Sequence, residues 1–325
     1  MRALITGFTG FVGSHLADYL LANTDWHIVG MLRWRSPLDN VRHLIPEVDK
    51  RISLVYADLK DELSVRSAVQ KAAPDYVFHL AAQSFPKTSF TAPLDTIDTN
   101  LQGTIRLLDA LKESNPIIHV CSSSEVYGRA KTTPIAEDAP FHPASPYAIS
   151  KIGADLAAQH YAEAYGMRIV VSRMFTHTGP RRGDVFAESS FAKQIAMGEA
   201  GLTEPIIRVG NLKSLRTVAD VRDAVRAYHM LLSTKPGSVY NIGGSYSATV
   251  GDILNAMLVM SKTKFQVIGD PSRLRPVDAD LQVPDCSKFK RDTGWEPKIG
   301  IHQTLGDLLD YWRSRVQREG QFLTR

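Results

Sequence analysis

The sequence predicts an α/β fold, a doubly wound parallel sheet with helices on both faces, followed by a smaller, mixed C-terminal part. Three observations predict it. Short β-rich apolar runs alternate with amphipathic stretches of helical period through the first half of the chain. Gly7, Gly10 and Gly13 fall three apart where the first apolar run gives way to the first amphipathic one. After about Phe175 turn-rich segments interrupt the alternation.

Taken in order, Ala3–Ile5 reads as a strand and Phe11–Leu21 as a helix. Trp26–Leu32 and Ser53–Tyr56 read as strands, Leu63–Ala72 as a helix and Tyr76–Leu80 as a strand. Thr99–Glu113 reads as a helix, Ile117–Ser122 as a strand, Tyr147–Tyr165 as a long helix and Arg168–Arg173 as a strand. Such apolar strands need cover on both faces, which crossover helices supply. With the Gly7/Gly10/Gly13 turn between its first strand and helix, residues 1–175 are expected to form a dinucleotide-binding Rossmann domain. Residues 176–325 are expected to be mainly a substrate-binding part, with some segments such as Val239–Ile242 returning to the sheet. Turns at Thr178–Gly183, Leu212–Thr217, Gly243–Ser247 and Pro271–Pro276 separate helices such as Val250–Met260 and Thr304–Val316. Their loops would cover the carboxyl ends of the strands, where such sheets bind ligands.

With 325 residues, 44% of them hydrophobic, the chain can bury a large core. A net charge of +4 with scattered basic residues argues against a nucleic-acid surface. Small basic groups such as Arg33/Arg35 and Arg181/Arg182 suit phosphate handling instead. Two cysteines are too few for a disulfide framework, so a reducing cytoplasm is expected. Neither a signal-peptide apolar region nor a membrane-length apolar run is expected. The histidines show no paired metal-ligand spacing, so no metal is expected. Cys121 reads as a small buried hydrophobe, Trp295 as a packing anchor and Tyr311-Trp312 as core closure.

The run Thr6-Gly7-Phe8-Thr9-Gly10-Phe11-Val12-Gly13 lies between strand and helix. Glycines there let the backbone turn sharply and approach a pyrophosphate, whose charge is favoured at a helix N-terminus. The cradle would be Gly7, Thr9, Gly10, Phe11, Val12 and Gly13. An ordinary glycine turn is the plain alternative, and the strand–helix setting disfavours it. At the end of the second strand, an NAD enzyme commonly places a carboxylate on the ribose. Here the chain reads Arg33-Trp34-Arg35-Ser36. Arg33, Arg35 and Ser36 suit a 2′-phosphate, so NADP is favoured over NAD. Asp58, with Leu59 beside it, is placed to meet the adenine; its plain alternative is a helix N-terminal acid.

Tyr147 and Lys151 are four residues apart on a helix, hence on one face. A phenol ordinarily titrates near ~10. A neighbouring ammonium and a positively charged nicotinamide would favour phenolate and make Tyr147 a usable base. Tyr-x-x-x-Lys also arises by chance, as a ring packed on a lysine stem. The strand end Ser122-Ser123-Ser124-Glu125 favours the catalytic reading, since Ser123 can hydrogen-bond the hydroxyl that loses its proton.

Together these segments, His79-Leu80-Ala81-Ala82 and Ser145-Pro146-Tyr147-Ala148-Ile149-Ser150-Lys151 resemble the extended short-chain dehydrogenase/reductases. The likeness runs nearly end to end, through Arg275-Pro276-Val277-Asp278 and Thr293-Gly294-Trp295-Glu296-Pro297. Within that group the chain most resembles GDP-mannose 4,6-dehydratases and GDP-4-keto-6-deoxymannose reductases. Ala82-Gln83-Ser84-Phe85, Gly179-Pro180-Arg181-Arg182-Gly183 and Val209-Gly210-Asn211-Leu212 carry that likeness. It implies a dinucleotide lying along Leu80, Ala81 and Ala82, a nucleotide-diphosphate sugar, most simply GDP-linked, and a homodimer or homotetramer. Oligomerisation is expected through the Tyr147 helix, and Arg33–Arg42 is a candidate to reach a neighbouring subunit's cofactor.

The resemblance leaves three reactions: 4,6-dehydration, 4-keto reduction and 4-epimerisation. Dehydration needs an extra base to take the C5 proton. Glu125, two residues after Ser123, matches the acidic position of the dehydratases, so dehydration leads, reduction follows and epimerisation is third. A carboxylate salt-bridged to a loop arginine is the plain alternative for Glu125. A nucleotide-binding regulatory relative is the non-enzyme alternative, disfavoured by an intact Ser123, Tyr147 and Lys151. Candidate substrate contacts are Ser84, Ser123, Ser124, Glu125, Thr176, Arg181, Arg216 and Arg275, the last two for the diphosphate. Three departures loosen the assignment of the sugar: Thr176 and Thr217 replace the family's usual Asn and Asp, and Ala187–Ser190 is altered.

Overall fold

The computed structural model describes residues 1–323. Its first half runs β1 (Arg2–Thr6), α1 (Phe11–Asn23), β2 (His27–Leu32), β3 (Ile52–Tyr56), α2 (Glu62–Ala72) and β4 (Tyr76–His79). It continues through α3 (Pro86–Thr91), α4 (Pro93–Ile97), α5 (Gly103–Leu111), β5 (Ile117–Cys121), α6 (Pro146–Tyr165) and β6 (Ile169–Met174). The second half runs β7 (His177–Thr178), α7 (Ala187–Glu199), β8 (Ile206–Val209), β9 (Leu215–Asp220), α8 (Val221–Leu231) and β10 (Val239–Ile242). It ends with β11 (Tyr246–Thr249), α9 (Val250–Val259), β12 (Gln266–Gly269), β13 (Leu281–Gln282), α10 (Ser287–Thr293) and α11 (Ile301–Leu323).

Seven parallel strands form the central sheet in the order β3-β2-β1-β4-β5-β6-β10. Val239–Ile242 thus returns to the sheet beside Val171–Met174. Ala3, Leu4, Ile5 and all six residues of β6 are buried, because helices cover both faces. Leu16, Ala17 and Leu20 of α1 pack on one face, and Val65, Val69 and Leu107 of α2 and α5 on the other. The strand order reverses between β1 and β4, so a crevice opens beyond Thr6 and His79, at the carboxyl ends.

The second half builds its own core from Phe191, Ile195, Ile207, Ile253, Leu308 and Trp312. Trp312 is 1% exposed and donates from Nε1 to Ser189 Oγ at 2.8 Å. Trp295 is equally sequestered and packs with Phe289 in the core of the sheet.

Several expected boundaries moved. The helix expected from Thr99 begins at Pro93 and passes through one π turn at Asp98–Gln102 before α5. Leu212–Thr217, expected as a turn, contains the start of β9, which gains strand partners in β7, β11 and β13. The expected turn Gly243–Ser247 likewise ends inside β11. Helices α7 and α8 were not anticipated, although Val221, Val225, Tyr228 and Leu232 repeat at helical spacing.

Candidate active site

The first turn of α1 has Gly10 at its N-cap and no side-chain cap. Its leading N–H groups are therefore open to an anion. Gly7 has φ +70°, and Gly10 N–H donates back to Gly7 O at 2.9 Å. A Cβ at Gly13 would lie 2.3 Å from Gly7 O, so turn and helix close together only without a side chain there. Thr6 joins this turn to β4. Its hydroxyl oxygen accepts from Leu80 N and Ala81 N at 3.1 Å and lies 2.9 Å from His79 Nδ1. Burial holds His79 down at about 3, so its ring is neutral. Thr104 Oγ1 donates to Asn100 O, which leaves it to accept from His79 Nε2 at 3.0 Å. His79 Nδ1 then accepts from Thr6, and the chain of bonds is complete.

The cradle, the ends of β2 to β6 and the loops of the second half enclose a cleft of about 920 Å³. Arg33, Ser36, Asp58, Leu59, Leu80, Ala81, Ala82, Ser84, Ser123, Ser124, Glu125, Tyr147, Lys151, Thr176, Arg216 and Arg275 all line it. Two expected residues lie outside it. Arg35 stacks on Trp34, with its guanidinium carbon 4.3 Å from the ring centroid. Arg181 pairs with Asp18 at 2.6 Å and donates to His15 Nδ1 at 2.7 Å. Its φ is +71°, and its neighbour Arg182 lines the cleft in its place.

Ser145 caps α6 by accepting from Ala148 N at 3.1 Å, and Pro146 opens the helix. This sets Tyr147 in the first turn and Lys151 one turn on, both buried at the cleft. The helix is fastened to β6 by a buried ion pair between Arg173 and Asp155, with contacts of 2.9 and 3.1 Å. Ser123 caps the short turn Ser124–Val126, its Oγ accepting from Glu125 N at 3.2 Å.

The phenol of Tyr147 was expected to be lowered by its lysine together with a positively charged nicotinamide. Among the protein's own groups burial pushes it well above its ordinary value, against the opposing pull of the Ser123 hydroxyl and, more weakly, Arg182. Lys151 is itself lowered by burial, and its Nζ donates to Cys121 O at 2.5 Å. Glu125 Oε1 lies 3.5 Å from Arg275 Nη1. Cys121, expected to be a small buried hydrophobe, is half-buried and lines the cleft, with Sγ 3.5 Å from the Tyr228 hydroxyl.

Three further residues belong to the site, of which only Arg182 was foreshadowed, by its basic pair. Arg182 is 9% exposed, lies over the rings of Phe186 (4.1 Å) and Phe11 (5.5 Å), and has a buried Nε with no partner. Its nearest carboxylate, Glu188, is 3.9 Å away. An incompletely neutralised guanidinium beside the α1 N-terminus fits an anionic ligand. His177, held down at about 4 mainly by burial, stacks on Phe11 with centroids 5.8 Å apart. Asn100, buried in the π turn, accepts from Gln83 N and donates to Gln83 O and Ser150 Oγ at 2.8–2.9 Å, tying the cleft floor to α6. Arg182 had a signal in its basic pair; Asn100 had none.

Among the described residues no group of three or more His, Cys, Asp or Glu could hold a metal ion, and no helix is long and apolar enough to cross a membrane.

The family model for GDP-mannose 4,6 dehydratase matches residues 4–308. The chain is 33% identical to the GDP-6-deoxy-D-mannose reductase of Pseudomonas aeruginosa, over 98% of this chain and 99% of that one. It is 31% identical to the GDP-mannose 4,6-dehydratase of Vibrio cholerae, over 95% and 92%. Among solved structures it superposes on RMD from Pseudomonas aeruginosa complexed with NADPH, with a TM-score of 0.81 at 30% identity over 97% of this chain and 100% of that chain.

Proposed function

The chain belongs to the GDP-mannose 4,6-dehydratase family, and from that premise we propose that it converts GDP-mannose to GDP-4-keto-6-deoxymannose with NADP as its cofactor. One observation carries this reading: a carboxylate, Glu125, lines the same cleft as Ser123, Tyr147 and Lys151.

The cleft residues fit a dinucleotide. The glycine turn, the uncapped α1 and the unpartnered Nε of Arg182 present donors to a pyrophosphate. Arg33 and Ser36 offer a cation and a hydroxyl to a 2′-phosphate, which supports NADP over NAD. When bound, the dinucleotide supplies hydride exchange, from the sugar's C4 and back to its C6. Tyr147 takes the C4 hydroxyl proton, and Ser123 hydrogen-bonds that hydroxyl. Oxidation at C4 makes the C5 proton acidic. Glu125 then removes it, the C5–C6 double bond forms, and the C6 hydroxyl leaves with that proton as water; as hydride returns to C6, C5 regains one proton, which balances the one Tyr147 took from the C4 hydroxyl. Lys151, Thr176 and Ser84 orient the sugar and its partners, and Arg216 and Arg275 take the diphosphate. A homo-oligomer formed through α6 is supported by Ile149 and Leu156, each about half exposed on that helix. The free Cys121 and Cys286 suit the cytoplasm.

A second reading is GDP-4-keto-6-deoxymannose reduction. The Glu125–Arg275 ion pair and the end-to-end likeness to a reductase favour it. The test is incubation with GDP-mannose and catalytic NADP⁺, followed by mass spectrometry and NMR. Loss of water without net cofactor change supports dehydration. NADPH consumption with a GDP-4-keto-6-deoxy sugar, and inertness toward GDP-mannose, would replace it by the reductase.

A further inference from the structure

Arg216 and Arg275 both face the cleft, but they are held differently. Arg216 Nη1 donates to the carbonyl of Ala279, and Nη2 lies 3.5 Å from Asp278 Oδ1. A backbone acceptor and a carboxylate fix it. Asp278 is fixed in turn, accepting from Ala279 N at 3.1 Å and from Asn211 Nδ2 at 3.2 Å. Arg275 has ion-pair partners but no hydrogen bond among the described residues. Its Nη1 lies 3.5 Å from Glu125 Oε1 and 3.6 Å from Asp278 Oδ1. At those separations the charges attract, while the N–H fork is not filled. Arg275 also sits on the irregular stretch before β13, whereas Arg216 is within β9. Of the two guanidinium groups, Arg275 is the one able to change partner.

We propose that Arg275 is a counter-ion shared between Glu125 and the diphosphate of the nucleotide sugar, so that engaging the diphosphate draws it off the carboxylate. This rests on the nucleotide-sugar reading above. A diphosphate carries more charge than a carboxylate and matches the guanidinium fork in a bidentate manner, so it competes effectively. The sugar's own diphosphate thereby frees the Glu125 carboxylate of its ion pair. Arg216 stays with Asp278 and receives the diphosphate without moving.

The test is calorimetric titration of the full chain with GDP, in a cycle of Glu125→Gln, Arg275→Ala and the double variant. Shared use predicts that Glu125→Gln tightens GDP roughly two- to fivefold, the range of a partly exposed ion pair. Arg275→Ala weakens GDP, and in that background Glu125→Gln changes nothing. Arg275→Lys, whose charge is kept, retains part of the coupling and covers the case in which Arg275→Ala does not fold. Unchanged or weaker GDP binding in Glu125→Gln overturns the proposal. So does a tightening that persists without Arg275, which would mean direct repulsion between Glu125 and the phosphates. Turnover of GDP-mannose is assayed separately: its absence with the coupling intact removes the dehydratase reading and leaves the shared counter-ion standing. Failure of the folded wild type to bind GDP removes both.

Discussion

Lys151 Nζ donates to the carbonyl of Cys121 across 2.5 Å, joining the first turns of α6 to the end of β5. The bond fixes an ammonium in a site where burial disfavours its charge.

Replacing Lys151 by Met should keep the fold and abolish most turnover. A loss of about 10²–10⁴-fold is expected for a group in the proton-transfer machinery. Steady-state rates beside a thermal melt check it; a variant with near-normal kcat would remove Lys151 from the mechanism.

Glu125→Gln separates the two reactions. The dehydratase reading expects C4 oxidation without loss of water, seen as reduced dinucleotide absorbing during a stalled turnover. The reductase reading expects 4-keto reduction to continue, with at most a raised KM.

Gly13→Ala should cost both stability and dinucleotide affinity. Its Cβ meets Gly7 O at 2.3 Å, and backbone on both sides cannot yield cheaply. Fluorescence titration with NADPH should show weakening of about tenfold or more, on the scale of 1–3 kcal/mol for overpacking. Unaltered affinity would mean that the dinucleotide does not lie on this turn.

Asp155→Ala removes one partner of a buried pair and leaves the Arg173 guanidinium without its carboxylate. Breaking such a pair costs about 3–5 kcal/mol. A urea midpoint shift of that size is expected. A loss below about 1 kcal/mol would show that Tyr127 and the Glu137 carbonyl, which also bind Arg173, suffice.

Four histidines should make the protein acid-sensitive. Burial is the largest cause in each, holding His79 and His119 at about 3 and His15 and His177 at about 4, from 6.5. Their neutral forms are favoured in the fold, so the unfolded chain binds more protons below pH 6.5. Their contribution is complete above 6.5 and is lost as pH falls toward 4 and then 3, at up to about 1.4 kcal/mol per pH unit for each. His119, whose Nδ1 has no partner, isolates the effect. Urea midpoints at pH 7.5 and 5 should differ less for His119→Asn than for the wild type. An equal difference would assign the acid response to other groups.

The sheet was legible because parallel strands must be apolar along their whole length and their crossovers amphipathic; β1, β4, β5 and β6 announce themselves in this way. The glycine turn and the Tyr147–Lys151 pair were legible because a helix places residues four apart on one face. The second half was less so. Leu215–Asp220 is a strand because β7, β11 and β13 supply its hydrogen bonds, and none of those partners is local. The choice between Arg181 and Arg182 rested on Asp18, His15 and Asn40, which hold Arg181 from far along the chain. The sequence by itself determined the fold class, the glycine turn between β1 and α1 and the placing of Tyr147 and Lys151 on one helix face, all set by short-range spacing. Only the tertiary structure decided which arginine enters the cleft, that Asn100 ties its floor to α6, and that Glu125 shares Arg275 with Asp278. Those facts depend on side chains distant in sequence meeting across a few ångströms, where burial and charge act on separation in space.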